Sequence, residues 1–236
     1  MAFSNHFCLL ALLLLLPMAS STANFIYQKC DKSFAGNDAL TSNIKTVLSN
    51  LQANASQTGF TTSTATGTPP DQVYGLFQCR GNAVSNCSDC LTAAALKLSN
   101  ECSSQSVAYV WYDLCFLRFS NVENFFGSME KGEGAIIDSR LNAPNPIAFA
   151  TTVTNLMSQL VKNILNSETN LYATAVANVT GIEGLSSVTG ELQCTQDLKS
   201  STCISCINWA ISQFNACKTR RSCTVLHSSC TASFTS

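Results

Sequence analysis

Charge is scarce in this chain. Lys, Arg, Asp and Glu make up 11% of its 236 residues, and the net charge is −1. No basic stretch is present to hold a phosphate backbone, which sets nucleic-acid binding aside. Histidine is scarcer still: there are two, His6 and His227, and the first falls in a segment read below as cleaved. One imidazole cannot build a two-histidine ribonuclease site, and a secreted phospholipase needs a His–Asp pair with a calcium loop. Carboxylate pairs for glycoside hydrolysis stay formally open, since fourteen acids are present. Those that cluster (Glu123, Glu130, Glu133 and Asp138) lie in a glycine-bearing stretch suited to solvation. Repeats of proline or glycine are missing, which argues against a purely structural protein. The expectation is a non-enzyme with no cofactor and no metal.

Long apolar runs are absent after the N-terminus. The first 23 residues hold one, Cys8 to Pro17, followed by small residues. It falls well short of the roughly 20 residues that span a bilayer. Ser21 and Ala23 satisfy the small-x-small rule, so residues 1–23 read as a signal peptide cut near Ala23/Asn24, although its start carries no Lys or Arg. Cleavage removes Cys8 and turns thirteen cysteines into twelve, the even count of a fully oxidised secreted protein. The chain ends six residues after Cys230 with no retention tetrapeptide and no lipid-anchor tail. A soluble, secreted, extracellular protein with no membrane span is expected.

What is abundant is patterned cysteine. Cys79, Cys87, Cys90 and Cys102 read C-x7-C-x2-C-x11-C, and Cys194, Cys203, Cys206 and Cys217 read C-x8-C-x2-C-x10-C. Cys79 and Cys194 lie 115 positions apart, as do Cys102 and Cys217, and Cys115 and Cys230. This is a tandem duplication. The copies differ at one place: Cys30 has no counterpart, and Cys223 is new, so each unit keeps six. That compensation predicts bridges closed within units. Both copies contain C-x-x-C, the spacing of zinc knuckles and thioredoxin-type redox sites. Compartment and even count favour structural disulfides.

Each unit is expected to read β-α-β-β-α-β-β, with its helices on one face of an antiparallel sheet. NFIYQKC to Cys30 alternates like a strand. Ile44, Val47, Leu48, Leu51 and Ala55 mark a helix over 43–56 that ends before Gly59. FTTSTATG and VYGLFQC are strands about the turn at 68–71. Ser85 or Asn86 caps a second helix that carries Cys87, Cys90, Leu91, Ala94, Leu98 and Cys102 on one face. Residues 107–120 bend into two pairing strands. Residues 121–145 read as a connection. In the second unit Val153, Leu156, Met157, Leu160, Val161, Ile164 and Leu165 stripe one helix, and Cys203, Cys206, Ile207, Ala210, Ile211, Phe214 and Cys217 stripe another. The expected boundaries are 24–127 for the first domain, 128–145 for the linker and 146–236 for the second domain.

The duplicated cysteine core and the segment WYDLCFLRFSN resemble the plant cysteine-rich repeat secretory proteins. The ectodomains of cysteine-rich receptor-like kinases and plasmodesmata-located proteins share the pattern, and all are built from ginkbilobin-type (Gnk2-homologous) antifungal domains. The resemblance covers nearly all of residues 25–236. It implies an α+β fold of two tandem domains, each a five-stranded antiparallel sheet with two helices packed on one face, disulfide-stapled. Spacing alone leaves fifteen connectivities per unit. The resemblance implies Cys30–Cys102, Cys79–Cys87 and Cys90–Cys115 in the first unit, and Cys194–Cys203 and Cys206–Cys230 in the second, with Cys217–Cys223 in place of the missing pair.

The resemblance also implies a secreted, non-catalytic binding protein of the plant apoplast, acting in defence or stress signalling through a protein partner. The alternative it carries is an antifungal lectin for mannose or another glycan. Family members that bind mannose use an Asn after the first cysteine, an Arg six before the last cysteine and a Glu five after it. The matching positions here are Asp31, Tyr109 and Ser120, and none keeps the residue type; in the second unit the last two positions are Thr224 and Thr235. Tyr109, Trp111 and Tyr112 offer rings for a different sugar site, although such rings are more often sheet core. Three N-x-S/T sequons stand at Asn54, Asn86 and Asn178, candidates for N-glycosylation, with Asn86 disfavoured by the adjoining Cys87.

Overall fold

The computed structural model describes residues 23–54, 59–81, 87–130, 134–167 and 171–236. Cys8, the helix caps expected at Ser85 and Asn86, the sequon at Asn86, and Glu133 lie outside these residues. The first unit runs β1 (Phe25–Ser33), α1 (Asp38–Ala53), β2 (Phe60–Ala65), β3 (Val73–Cys79), α2 (Ser88–Glu101), β4 (Gln105–Tyr112) and β5 (Cys115–Ser120). The second runs β6 (Ala135–Asp138), α3 (Pro146–Leu165), β7 (Tyr172–Asn178), β8 (Ser187–Cys194), α4 (Ser200–Gln213), a 3-10 turn at Phe214–Ala216, β9 (Ser222–His227) and β10 (Cys230–Thr235). All sheet pairings are antiparallel, in the orders β1-β4-β5-β3-β2 and β6-β9-β10-β8-β7. The two orders are the same once the units are superposed in sequence. The expected α+β tandem is the observed one.

Each helix is held by the apolar stripe its sequence carries. On α1, Leu40, Ile44, Val47, Leu48 and Leu51 are buried, and Asn37 caps the start by accepting from Leu40 N (2.9 Å). The helix therefore begins at Asp38, five residues earlier than the stripe suggests. Likewise α3 begins at Pro146. Proline lacks an N–H that the first turn has no use for, and Asn145 accepts from Ala148 N. Phe149, Val153, Leu156, Met157, Leu160 and Ile164 are its buried face. Burying one such side chain stabilises by about 1.5–3 kcal/mol.

Each sheet leaves room for its first helix at one glycine, Gly75 in β3 and its counterpart Gly190 in β8. A Cβ at Gly75 would sit 2.3 Å from Val47 Cγ1, and one at Gly190 would sit 2.7 Å from Met157 Cε. The second helix is stapled to the sheet by disulfides. In the first turn of α2 and just before it, Cys90 and Cys87 share a face. They reach Cys115 and Cys79, which are themselves opposite one another across β5 and β3. In the second unit Cys206 and Cys203 reach Cys230 and Cys194 on β10 and β8 in the same manner. Cys30–Cys102 ties β1 to the end of α2, whereas Cys217–Cys223 closes the short turn between α4 and β9.

One expectation needs correcting. The stretch 128–145 is not all connection, because Ala135–Asp138 pairs with β9 as the edge strand of the second sheet. Asn142 bridges Arg220, and Ala143 N donates to Thr219 O (2.8 Å). The strand is four residues long and follows a charged glycine-bearing run, which hides its alternation. It is also the β1 counterpart that a true duplication requires.

Candidate functional site

The helices cover one face of each sheet. On the other face of the first sheet the register aligns Lys29, Tyr109, Arg118 and Leu76 across four strands. One row towards the second unit lie Tyr27, Trp111, Phe116 and Gln78. This face is where the two units meet. Leu76, Trp111, Phe116, Phe125 and Leu226 form one buried cluster, Leu226 from the second unit and Phe125 from the connection.

The contact between units is a pseudo-twofold. Gln78 and Gln193 directly precede Cys79 and Cys194, the first cysteines of the two repeated cores, and each crosses to the other unit. Gln78 Nε2 donates to Cys194 O (2.9 Å), and Gln193 Nε2 donates to Cys79 O (3.0 Å). Their amide oxygens accept from the backbone two residues beyond those cysteines: Gln196 N to Gln78 (2.9 Å) and Gly81 N to Gln193 (3.2 Å). Gly81 has φ +54°, and a Cβ there would meet the Tyr172 hydroxyl at 2.9 Å. Arg80 and Glu191 add a half-buried ion pair across the same boundary (3.1 Å).

Beside this contact the connection roofs the first sheet and leaves a cleft of about 420 Å³. Its walls are Tyr27, Lys29, Asp31, Tyr109 and Trp111 from the sheet, Glu123, Phe125 and Glu130 from the connection, and Leu226 and His227 from the second unit. The roof is anchored by Arg118, which has no solvent exposure. Its Nη1 lies 3.6 Å from Glu130 Oε2, its Nη2 lies 3.5 Å from Asp197 Oδ2, and its guanidinium stands 4.3 Å from the centre of the Phe125 ring. Nη2 also donates to Phe125 O (3.4 Å). Asp197 accepts from Gly127 N (2.9 Å), so one cation gathers the sheet, the connection and the second unit. Burial lowers the Arg118 pKa, and the two carboxylates pull it back; a guanidinium stays charged in such a setting. Burial raises the Tyr109 phenol well above its ordinary value, and the neighbouring Glu130 carboxylate adds to the rise.

The sequence-derived candidates separate here. Asp31 and Tyr109 both line the cleft. Ser120 does not: it is fully buried, and its Oγ accepts from Val122 N (3.0 Å), fastening the start of the connection. Trp111 lines the cleft with 4% exposure and stacks on Phe116, whereas Tyr112 faces the helices and sits in the core of the first unit. Thr224 lies opposite Ser233 on the second sheet. Glu130 is not the solvated linker acid expected of it, since Arg118 and Tyr109 hold it at the cleft wall. Asp138 lies 3.7 Å from Arg220.

His227 ends β9, buried, with Nδ1 accepting from Ser229 N (3.1 Å) and lying 3.5 Å from Cys206 Sγ. Cys206, His227 and Cys230 bring three donor atoms within 4.8 Å of one another. The two sulfurs are bonded to each other, so the arrangement is a disulfide packed against an imidazole. The sequence reading missed Arg118, Asp197, Phe125 and Leu226. Arg118 alone carried a signal, as the one charge in the strand Cys115–Ser120 that is otherwise without one.

Two duplicated α+β units, three disulfides in each and a ligand-sized cleft beside their pseudo-twofold define a tandem cysteine-rich extracellular module. The salt stress response/antifungal family model matches residues 28–122 and again 138–236. The chain belongs to this family, with two copies of its domain. It is 32% identical over 212 residues to cysteine-rich repeat secretory protein 38 of Arabidopsis thaliana, covering 87% of this chain and 82% of that one. It is 31% identical over 235 residues to an antimicrobial ginkbilobin-2-like protein of Castanea crenata, covering 98% and 95%. Among solved structures, the tandem DUF26 ectodomain of the Arabidopsis thaliana cysteine-rich receptor-like protein PDLP8 superposes with a TM-score of 0.77 at 24% identity. That match covers 91% of this chain and 98% of the ectodomain. Among the described residues no helix is long and apolar enough to cross a membrane.

Proposed function

We propose that this protein is a secreted, non-catalytic binding protein of the plant extracellular space, acting in defence or stress signalling through a protein partner seated in the cleft between its units. The observation that supports this reading is the cleft itself. At about 420 Å³ it falls in the size range of ligand sites. It presents the mixture such sites use: rings at Tyr27, Tyr109 and Trp111 for apolar contact, and Lys29, Asp31 and Glu123 at its rim for direction. A projecting side chain of a partner fits that mixture. The test is capture of partners from apoplastic fluid by the oxidised, secreted protein and by Lys29→Glu and Asp31→Lys variants. Partners that bind the wild type and are lost from both variants support the cleft; partners retained equally by all three would sink it.

A glycan reading has one specific observation in its favour. Asp31 and Tyr109, at positions where mannose-binding relatives place sugar contacts, stand on the same cleft wall. A glycan array carrying the wild type, Asp31→Ala and Tyr109→Ala decides it. Sugar-competed binding lost in both variants would make this protein a lectin, and a blank array with folded protein would end that reading.

A further inference from the structure

We propose that Asn178 carries an N-linked glycan and that this glycan guards the open edge of the second sheet. The inference needs the protein to pass through the secretory pathway and is independent of which ligand the cleft takes. Of the three sequons, Asn178-Val179-Thr180 is the one that lies wholly within the described residues. Asn178 is the last residue of β7, and both it and Thr180 are exposed, while Val179 between them is buried. The backbone there is fixed, because Val179 N donates to Ser186 O (2.9 Å). The acceptor amide and the hydroxyl that marks it for modification thus face outward at the end of a strand, where a bulky, hydrated substituent displaces nothing.

The same strand has reason to be covered. β7 pairs with β8 on one side and is the terminal strand on the other. Its residues, YATAVAN, include no charge and no proline, and Val176 is 63% exposed. A seven-residue uncharged edge is a template for pairing with another chain, and proteins blunt such edges with charge, proline or a cover. The edges at the far side of each sheet follow that rule by charge: β1 carries Lys29, Asp31 and Lys32, and β6 carries Asp138. β7 has no such device of its own. In the modification, Asn178 Nδ2 attacks the anomeric carbon of a lipid-diphosphate-linked oligosaccharide. The N–C bond forms, the sugar–phosphate bond breaks, the lipid diphosphate leaves, and one amide proton is released.

The experiment compares the full chain secreted from plant cells with Asn178→Gln and Thr180→Ala variants. Thr180→Ala keeps the asparagine and removes only the acceptor signal. Peptide mass spectrometry should find Asn178 glycosylated in the wild type, and both variants should lose the mass of one glycan while keeping the near-UV circular dichroism of the folded protein. Recovery of the Asn178 peptide unmodified from secreted wild type would overturn the site. Sedimentation over a hundredfold concentration range reads the guarding role. Self-association is expected in both variants at concentrations where the wild type stays monomeric, and equal sedimentation of all three would overturn that role.

Discussion

Arg118 is a cation without solvent, facing a carboxylate from the connection and another from the second unit. Removing it would leave Glu130 and Asp197 facing a desolvated gap with no counter-charge. Losing one partner of a buried pair costs about 3–5 kcal/mol, so Arg118→Ala should lower the denaturation midpoint by that equivalent. The additional changes Glu130→Gln and Asp197→Asn should restore part of it; a triple variant no more stable than the single one would count against the ionic account. Tyr109 gives a prediction in pH. Its pKa is raised in the folded protein, so below about pH 10, the ordinary phenol value, both states hold the proton and stability does not respond. Above that pH only the unfolded chain releases it, and stability falls as pH rises. Tyr109→Phe should show a shallower decline between about pH 10 and 11 in urea titrations. Parallel curves for the two proteins would contradict the assignment.

At the scale of the element, the paired glycines make a graded prediction. A methyl at Gly75 meets Val47, whose branched side chain has little χ1 freedom in a helix. At Gly190 it meets the ends of Met157, Leu156 and Leu160, which can turn aside. Overpacking of this kind costs about 1–3 kcal/mol. Thermal melts should therefore place Gly75→Ala clearly below Gly190→Ala, and the reverse order would refute the packing argument. Elements with long apolar stripes were legible in the sequence: α1, α3 and the strands around Cys79 and Cys194 stand where the periodicity puts them. Their starts were not. Asn37 and Asn145 act through side-chain bonds that spacing does not display, and they move each helix several residues towards the N-terminus. β6 was illegible for another reason. Four residues are too few for alternation to show, and what makes them a strand is the ladder with β9, nearly ninety positions away in the chain.

For the whole molecule, the duplication and its cysteines predict two units but not how they meet. The FQC and LQC repeats are visible in the sequence, yet nothing local says that each glutamine turns towards the other unit. The cleft was legible only in part for the same reason: Asp31 and Tyr109 belong to one sheet, whereas Phe125, Glu130 and Leu226 arrive from elsewhere. Because each glutamine is itself buried and makes two cross-unit hydrogen bonds, one of them to a buried carbonyl, Gln78→Ala and Gln193→Ala should each cost about 1–3 kcal/mol. The double variant should expose Trp111, now 4% accessible, to acrylamide quenching. Unchanged quenching would mean that the apolar cluster alone holds the units together.

A pseudo-twofold contact inside one chain differs from the same contact between two chains in its response to dilution. Two separate units would part below their dissociation constant, whereas here residues 121–134 keep each unit at a fixed effective concentration for the other. Nor must the halves remain alike. A symmetric dimer has two copies of one surface, but this chain needs matching residues only where the glutamines cross. Away from that point one sheet has acquired Tyr109, Arg118 and Lys29 where the other has Thr224, Ser233 and Ile137. The axis holds the shape, and the two faces are free to answer to different partners.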